Sequence, residues 1–438
     1  MTTLAFYGGV NEVGGNKILL KDKDTKIFLD YGMSFSLKDR YYSEPFLSPR
    51  DERSLLEFGL LPNLPGVYKF DDSEPEIDGV VLSHSHMDHS AYIAFLKKDI
   101  PVYCGETTAT ILRALGDVRA GFGRDLDGIK FRTFRTGDVL KIGSVEVEPI
   151  HVDHSIPGSY GLIVYTSSGS VVYTGDFRMH GARPELTEDF VERAREAEPV
   201  AVITEHTNMT KAEVSSEQEV LEKINDLVKQ TSGLVLADFA RGDVDRLRSF
   251  YTAAKRNGRS LAVTLKQAYL MKKLSEDPHL RIPKLTDENI LIFRKSKKRY
   301  AKWEEEALES GNVVDSSSVA DMQDKIVLVA SFYDLESLID IKPMFGSCYI
   351  LSASEPFNEE MEVDFNKLVN WLEHYGLPQY HAHVSGHIMP LQLRHVLKTV
   401  NPKKIFPIHG THQELFSKFM RDAKSEILMV EYGKEYTL

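Results

Sequence analysis

Ser83-His84-Ser85-His86-Met87-Asp88-His89-Ser90 sets four metal-capable side chains within six residues. The run before it, Ile77-Asp78-Gly79-Val80-Val81-Leu82, reads as a short apolar β-strand, and Ala91 to Lys97 reads as the start of a helix. The motif therefore sits on a strand-to-helix turn. His84 and His86 are two residues apart, so an extended backbone points both imidazoles to one side. Asp88 and His89 project from the turn into the helix. The arrangement offers two imidazoles to one ion, and a carboxylate with an imidazole to a second ion nearby. Such donors suit zinc, with manganese or iron as alternatives. A polar loop that merely happened to hold three histidines would need neither the apolar strand nor the later histidines.

The chain around this turn is 438 residues long, room for about two to three domains of ordinary size. Hydrophobic residues make up 42% and charged residues 27%, as in soluble globular proteins. Cys104 and Cys348 are too few for a disulfide framework, which points to a reducing cytoplasm. Met1 to Lys17 has neither a basic n-region nor a long apolar h-region, and no apolar stretch reaches membrane-spanning length. The net charge of -12 argues against indiscriminate nucleic-acid binding. Charge is uneven, however. Thr231 to Trp303 holds 17 Lys plus Arg against 7 Asp plus Glu, a local excess of 10.

The first thirty residues read as strands Leu4–Tyr7, Lys17–Leu20 and Lys26–Asp30 around the glycine-rich turn Gly8 to Asn16. A phosphate-cradling loop would need a following helix, and none follows. Asp30 closes its strand and, taken alone, is a turn-capping aspartate. Residues 33–76 are polar and proline-dotted, and read as a long surface excursion. Later strands close on chemistry-bearing residues. Val145–Ile150 leads into His151-Val152-Asp153-His154, Ser170–Thr174 ends at Gly175-Asp176, and Val200–Thr204 ends at Glu205-His206. Polar groups gathered at strand ends are how an α/β enzyme builds a site.

The pattern changes after Asn208. Ser216 and Glu219 form a candidate capping box, followed by apolar residues at helical spacing to Val228. Strand Leu234–Ala237, helix Val244–Arg256 and strand Leu261–Leu265 then alternate as in a parallel sheet, unlike the mostly antiparallel pattern before. Strands at Ile326–Val329 and Cys348–Leu351 extend it. The histidines return at His381-Ala382-His383-Val384-Ser385-Gly386-His387. Strand Lys404–Ile408 ends at His409-Gly410-Thr411-His412. This organisation gives a first domain over 1–207, an insertion over 208–368, and the first domain resumed over 369–438.

Taken together, the motif series resembles the metallo-β-lactamase-fold hydrolases. The HSHMDH run is that superfamily's signature, and Asp30, His154 and Asp176 are similar to its other strand-end motifs. The insertion resembles the β-CASP domain of nucleases on this fold. Glu205 resembles motif A, His387 motif B, and His409, in Pro407-Ile408-His409-Gly410, motif C. Gly8 to Asn16, His154-Ser155-Ile156-Pro157 and Thr174-Gly175-Asp176-Phe177 are similar to RNase J in particular. Bacterial members carry a further C-terminal domain, whereas this chain stops at Leu438, like the shorter archaeal form. Ser352 to Glu359 is only loosely similar to the family's serine-proline-glycine-asparagine-glutamate segment.

The resemblance implies an αββα sandwich with an inserted α/β domain built on a parallel sheet. It implies a zinc-dependent ribonuclease that cuts RNA phosphodiester bonds endonucleolytically, 5′→3′ exonucleolytically or both, in RNA processing and decay, through a hydroxide activated by two metals. His84, His86 and His154 are assigned to one Zn2+, and Asp88, His89 and His409 to the other. Asp176 bridges them, and Mn2+ or Mg2+ are alternative activators. His387 contacts the scissile phosphate as donor or acid, with Ser385 beside it, while Asp30 and Glu205 orient ligands by hydrogen bonds.

Single-stranded RNA is the expected partner, and a homodimer stays open. His151, His381 and His412 are expected outside the ligand set, while His206 and His383 stay open, since adjacency to a motif is not ligation. Phe239, Arg241, Lys266 and the basic run Arg294 to Lys302 are candidate RNA contacts, against the plainer reading of a solvated charged face. The competing function is a thioester or lactone hydrolase on the same fold, against which the basic insertion and Ser385-Gly386-His387 argue. A non-catalytic RNA-binding subunit would be expected to lack ligands that this chain retains.

Overall fold

A computed structural model describes residues 1–43, 46–118, 126–210, 212, 214–354 and 359–438. The chain divides into two compact units, one of residues 1–213 with 386–438 and one of residues 214–385. The inserted unit continues beyond residue 368 because strand Gln379–His381 pairs in register with Cys348–Leu351 of its sheet. Among the described residues, no helix is long and apolar enough to cross a membrane.

The first unit is built on two seven-stranded sheets. In the first, alternation along the strands fills two cores. Leu4, Phe6, Ile18, Leu20, Ile27 and Leu29 face the second sheet, where they meet Val164, Val171, Ile203 and Phe406. Ala5, Leu19 and Phe28 face outward into another apolar cluster. The outer face of the second sheet is covered by helices Pro184–Glu196, Pro390–Val400 and Gln413–Phe419, through Phe190, Leu393, Leu397 and Phe416. Both sheets are thus buried on both faces, the condition under which strands read as near-continuous apolar runs.

Each sheet is mixed rather than mostly antiparallel. Thr2–Phe6, Ile18–Asp22 and Thr25–Leu29 run antiparallel, then Thr25–Leu29, Gly79–Val81, Val102–Gly105 and Phe131–Phe134 run parallel. In the second sheet Gly169–Tyr173, Ala201–Glu205 and Lys404–Ile408 are parallel. These parallel segments carry the strand ends that matter. Leu29 pairs with Val81, which brings Asp30 beside the start of the histidine run. Glu205 pairs with Ile408, which brings His409 beside His206.

Two local expectations need correction. Residues 33–76 are not a surface excursion: they contain helices Phe35–Tyr41 and Glu52–Glu57, and bury Leu55, Leu60, Leu61, Val67 and Tyr68. Their apolar residues come in short runs broken by Gly and Pro, so no period builds up. After the histidine run, the helix is only Met87–Ser90, followed by one 3-10 segment, Ala91–Phe95, that ends where Leu96 turns extended. Tyr92, Ile93, Ala94 and Phe95 are all buried, so tertiary packing, not an amphipathic period, sets the backbone there.

The inserted unit is a seven-stranded sheet, parallel throughout its named pairs, with Val235–Asp238 between Ile326–Val329 and Cys348–Leu351. At the end of that strand, burial pushes the Asp238 carboxyl up to about 6, against the hydrogen bond from Tyr349 Oη. A folded-state pKa above the unfolded value makes the group's contribution most favourable below about pH 4, and that contribution is lost as pH rises through about 6. Asp238→Asn keeps an acceptor for Tyr349 and removes the charge. It should raise stability at pH 7.5 by about 2 kcal/mol, with little change at pH 4, as measured by denaturant unfolding. Equal effects at both pH values would exclude this account.

Candidate metal centre

Six strand or turn ends of the first unit converge on one buried cluster. His84 Nε2 and His154 Nε2 lie 3.0 and 3.1 Å from His86 Nδ1. Asp88 Oδ2 lies 3.1 Å from His409 Nε2 and 3.8 Å from His89 Nε2. Asp176 stands between the two sets, with Oδ2 3.8 Å from His84 Nε2, 3.2 Å from His89 Nε2 and 3.5 Å from His409 Nε2. Two groups that could hold a metal ion result: His84, His86, His154 and Asp176, and Asp88, His89, Asp176 and His409.

The far side of each ring decides which nitrogen faces inward. His89 Nδ1 donates to Asp30 Oδ2 at 2.6 Å. Ser83 Oγ donates to Asp30 and lies 3.0 Å from His84 Nδ1, from which it accepts. His154 Nδ1 donates to the Gly386 carbonyl at 2.7 Å, and His409 Nδ1 lies 3.0 Å from Thr207 Oγ1. Each of these four imidazoles thereby turns its Nε2 into the cluster, the usual outer partner arrangement of metal-binding histidine. Asp30 and His409 adopt positive φ of 59° and 53°. Both sit at strand ends, where surrounding contacts must hold a backbone that costs about 1–3 kcal/mol.

Electrostatics agree with cation binding. Burial, reinforced by neighbouring imidazoles, holds His84 and His154 well below the usual histidine range, and burial brings His86 down to about 4. These rings are neutral at physiological pH, the form that ligates metal. Burial would also lower His89, but the carboxylates of Asp176, Asp30 and Asp88 outweigh it and hold the ring well above the usual range. Burial opposes ionisation of Asp176, yet the imidazoles of His409, His89 and His387 keep its carboxyl well below the carboxylate range.

Three further residues complete the cluster. Glu205, 1% exposed, accepts from the Phe177 amide and from Thr207 Oγ1, and its Oε2 lies 3.1 Å from His387 Nδ1. His387 Nδ1 is also 3.6 Å from Asp176 Oδ2. Burial would lower His387, but Glu205 and Asp176 push it up to about 9. The Asn208 amide donates to the His387 carbonyl at 2.8 Å.

Residues 57–222 match the family model of the beta-lactamase superfamily domain. The chain is 24% identical over 420 residues to ribonuclease J 2 of Streptococcus pyogenes, covering 93% of this chain and 69% of that protein. It is 25% identical over 456 residues to ribonuclease J of Thermus thermophilus, covering 98% and 73%. The chain is a metallo-β-lactamase-fold protein of ribonuclease J-like sequence. A crystal structure of a protein of unknown function from Enterococcus faecalis V583 shares the fold, with a TM-score of 0.79 and 21% identity over the whole of both chains.

The metallo-β-lactamase fold implies metal ions, and the residues present fit them. Both carboxylate oxygens of Asp176 and Nε2 of His89 are buried without a hydrogen-bond partner among the described residues. The neutral imidazoles of His84, His86 and His154 beside the Asp176 carboxylate, with ligand atoms within 4.8 Å of one another, form a donor set that suits a divalent cation.

Other candidates fall elsewhere. His151 stacks on Tyr160, and His206 Nδ1 donates to the Ile408 carbonyl at 2.6 Å. His412 is exposed. His381, His383, Ser385 and Arg241 belong to the inserted unit. Burial lowers the Arg241 guanidinium against the attraction of Asp334, and Phe239 is buried against Phe250. Three of the six cations in the basic run are paired within its own unit: Arg294 with Asp315, Lys295 with Asp334 and Lys297 with Glu304. Glu355 to Asn358, in the loosely similar segment, lie outside the described residues.

Sequence reasoning missed Ser83, Thr207, Tyr173 and Asn16. Tyr173 Oη donates to Asp30 Oδ2 at 2.5 Å and accepts from the Asn16 side-chain amide. The available signal was position, since each lies within a few residues of a strand-end motif.

Proposed function

We propose that this protein is a metal-dependent ribonuclease that hydrolyses phosphodiester bonds of RNA, with residues 214–385 as its β-CASP domain. The observation that carries the reading is the pair of ligand groups sharing Asp176, in a chain similar to ribonuclease J along nearly its whole length. His84, His86 and His154 would hold one divalent cation, and Asp88, His89 and His409 a second, with Asp176 common to both. Imidazole and carboxylate donors suit zinc, with Mn2+ or Mg2+ as alternative activators. When bound, such ions polarise phosphoryl oxygens and lower the pKa of coordinated water toward neutrality.

The chain's own groups orient and protonate. Asp30 and Ser83 fix the tautomers of His89 and His84, as Thr207 and the Gly386 carbonyl do for His409 and His154. Glu205 holds His387 with its Nδ1 toward Asp176, where the ring can donate to a phosphate oxygen or to the leaving oxygen. Single-stranded RNA is the proposed partner.

The deciding assay incubates metal-loaded protein with end-labelled RNA bearing a 5′-monophosphate, a 5′-triphosphate or a 5′-hydroxyl. Cleavage should occur, cease on chelation and return with zinc or manganese. Mononucleotides from the labelled 5′ end would mean an exonuclease, and internal fragments an endonuclease. Failure to cut any of the three RNAs would end the ribonuclease reading.

A further inference from the structure

Lys17 is 1% exposed, which is rare for a lysine and demands partners. Its Nζ donates to the Gly15 carbonyl at 2.8 Å and the Gly32 carbonyl at 2.9 Å, and it stands 5.5 Å from the centroid of the Tyr92 ring. No carboxylate forms an ion pair with it among the described residues. Burial lowers this ammonium to about 8, against the distant pull of Glu12. A buried cation held by two main-chain carbonyls is an expensive way to fill space, so its placement asks for a reason.

The two carbonyls belong to the two backbone segments that enclose Asp88. The Asn16 amide donates to the Asp88 carbonyl at 3.0 Å, and the Gly32 amide to the Asn16 carbonyl at 2.9 Å. Tyr31 and Met33 amides donate to the carbonyls of His89 and Met87. Gly14, with φ +84°, approaches so closely that a Cβ there would lie 2.6 Å from Asp88 Oδ2. A Cβ on Gly32 would lie 1.7 Å from the Asp88 carbonyl oxygen. Asp88 is therefore clamped from both sides by glycine backbone, and the Lys17 ammonium joins one side of the clamp to the other. Its reach stops there: His84, His86 and His154 are held by Ser83, Gly386 and each other.

Resting on the metal-centre reading above, we infer that Lys17 is a positioning residue that braces the clamp around Asp88 and so sets the affinity of the Asp88/His89/His409 half of the centre. The apolar, similarly long Lys17→Met leaves two carbonyls without their donor and lets the segments part.

The test titrates Zn2+ into chelator-stripped protein by calorimetry, with circular dichroism to establish folding. Wild type should bind two ions. Lys17→Met should keep the ion of the His84/His86/His154 group near its wild-type affinity and bind the other about 10–100-fold more weakly, the range for lost outer-shell partners. Adding Lys17→Met to Asp88→Ala should change nothing further, because the brace acts through Asp88. If Lys17→Met does not fold, Lys17→Gln, which keeps a neutral donor group on a shorter side chain, should show the same selective weakening to a smaller degree. A folded Lys17 variant with both affinities unchanged, or with both ions weakened alike, overturns the inference. A wild-type chain that binds no Zn2+ overturns the metal-centre reading and this inference with it.

Discussion

Asp176→Ala should lower RNA hydrolysis by on the order of 10⁴-fold or more, because it removes the one group common to both candidate ion sites. Its carboxylate faces His84, His89 and His409 at 3.2–3.8 Å, so no neighbour can take over its position. Metal analysis should fall below two ions per chain in the same variant. The fold should survive, since Asp176 makes no hydrogen bond through either carboxylate oxygen to the described residues and fills no apolar core. Asp176→Ala that retains both ions and hydrolyses RNA normally would exclude the shared-ligand arrangement.

The convergence behind that expectation was legible from particular positions. His84, His86, Asp88 and His89 stand out as a run, and Asp176 and His409 as polar groups closing apolar strands. The strands closed by Asp176 and His409 prove to lie on either side of Ala201–Glu205 and parallel to it, which is why residues separated by more than 200 positions meet. Thr207 and Ser83 were not legible, because a lone hydroxyl in a polar turn carries no periodic signal. Only the folded chain puts Thr207 Oγ1 2.8 Å from Glu205 Oε2 and 3.0 Å from His409 Nδ1.

Residues 33–76 failed for another reason. Their buried residues are spread over short segments that pack by tertiary fit, so neither a two- nor a 3.6-residue period forms. The basic run Arg294 to Lys302 shows what a local charge count leaves out. Two of its acidic partners, Asp315 and Asp334, lie 21 and 39 residues beyond the cations they pair with, outside the stretch Thr231 to Trp303 over which the charge was counted. Net local charge measures potential partners for RNA only after such pairs are removed.

His387→Ala should reduce turnover by about 10²–10⁴-fold, the usual scale for a lost acid or electrostatic group, and should leave two ions per chain. The separation of these two outcomes follows from geometry. His387 Nδ1 is closer to Glu205 Oε2, at 3.1 Å, than to Asp176 Oδ2, at 3.6 Å. Its side chain is 22% exposed, whereas those of His84, His89 and His409 are 1% exposed or less. A ring that reaches solvent and is oriented by a carboxylate is positioned toward an incoming phosphate, while the closed rings face one another. Glu205, His387 and His409 nevertheless form a third group whose donor atoms lie within 4.8 Å of one another. That makes the metal measurement decisive. Loss of an ion in His387→Ala would make the ring a ligand and move proton donation to another group. Retention of both ions with slow turnover would place it at the phosphate, and Glu205→Gln should then reproduce part of the loss by releasing the ring it holds.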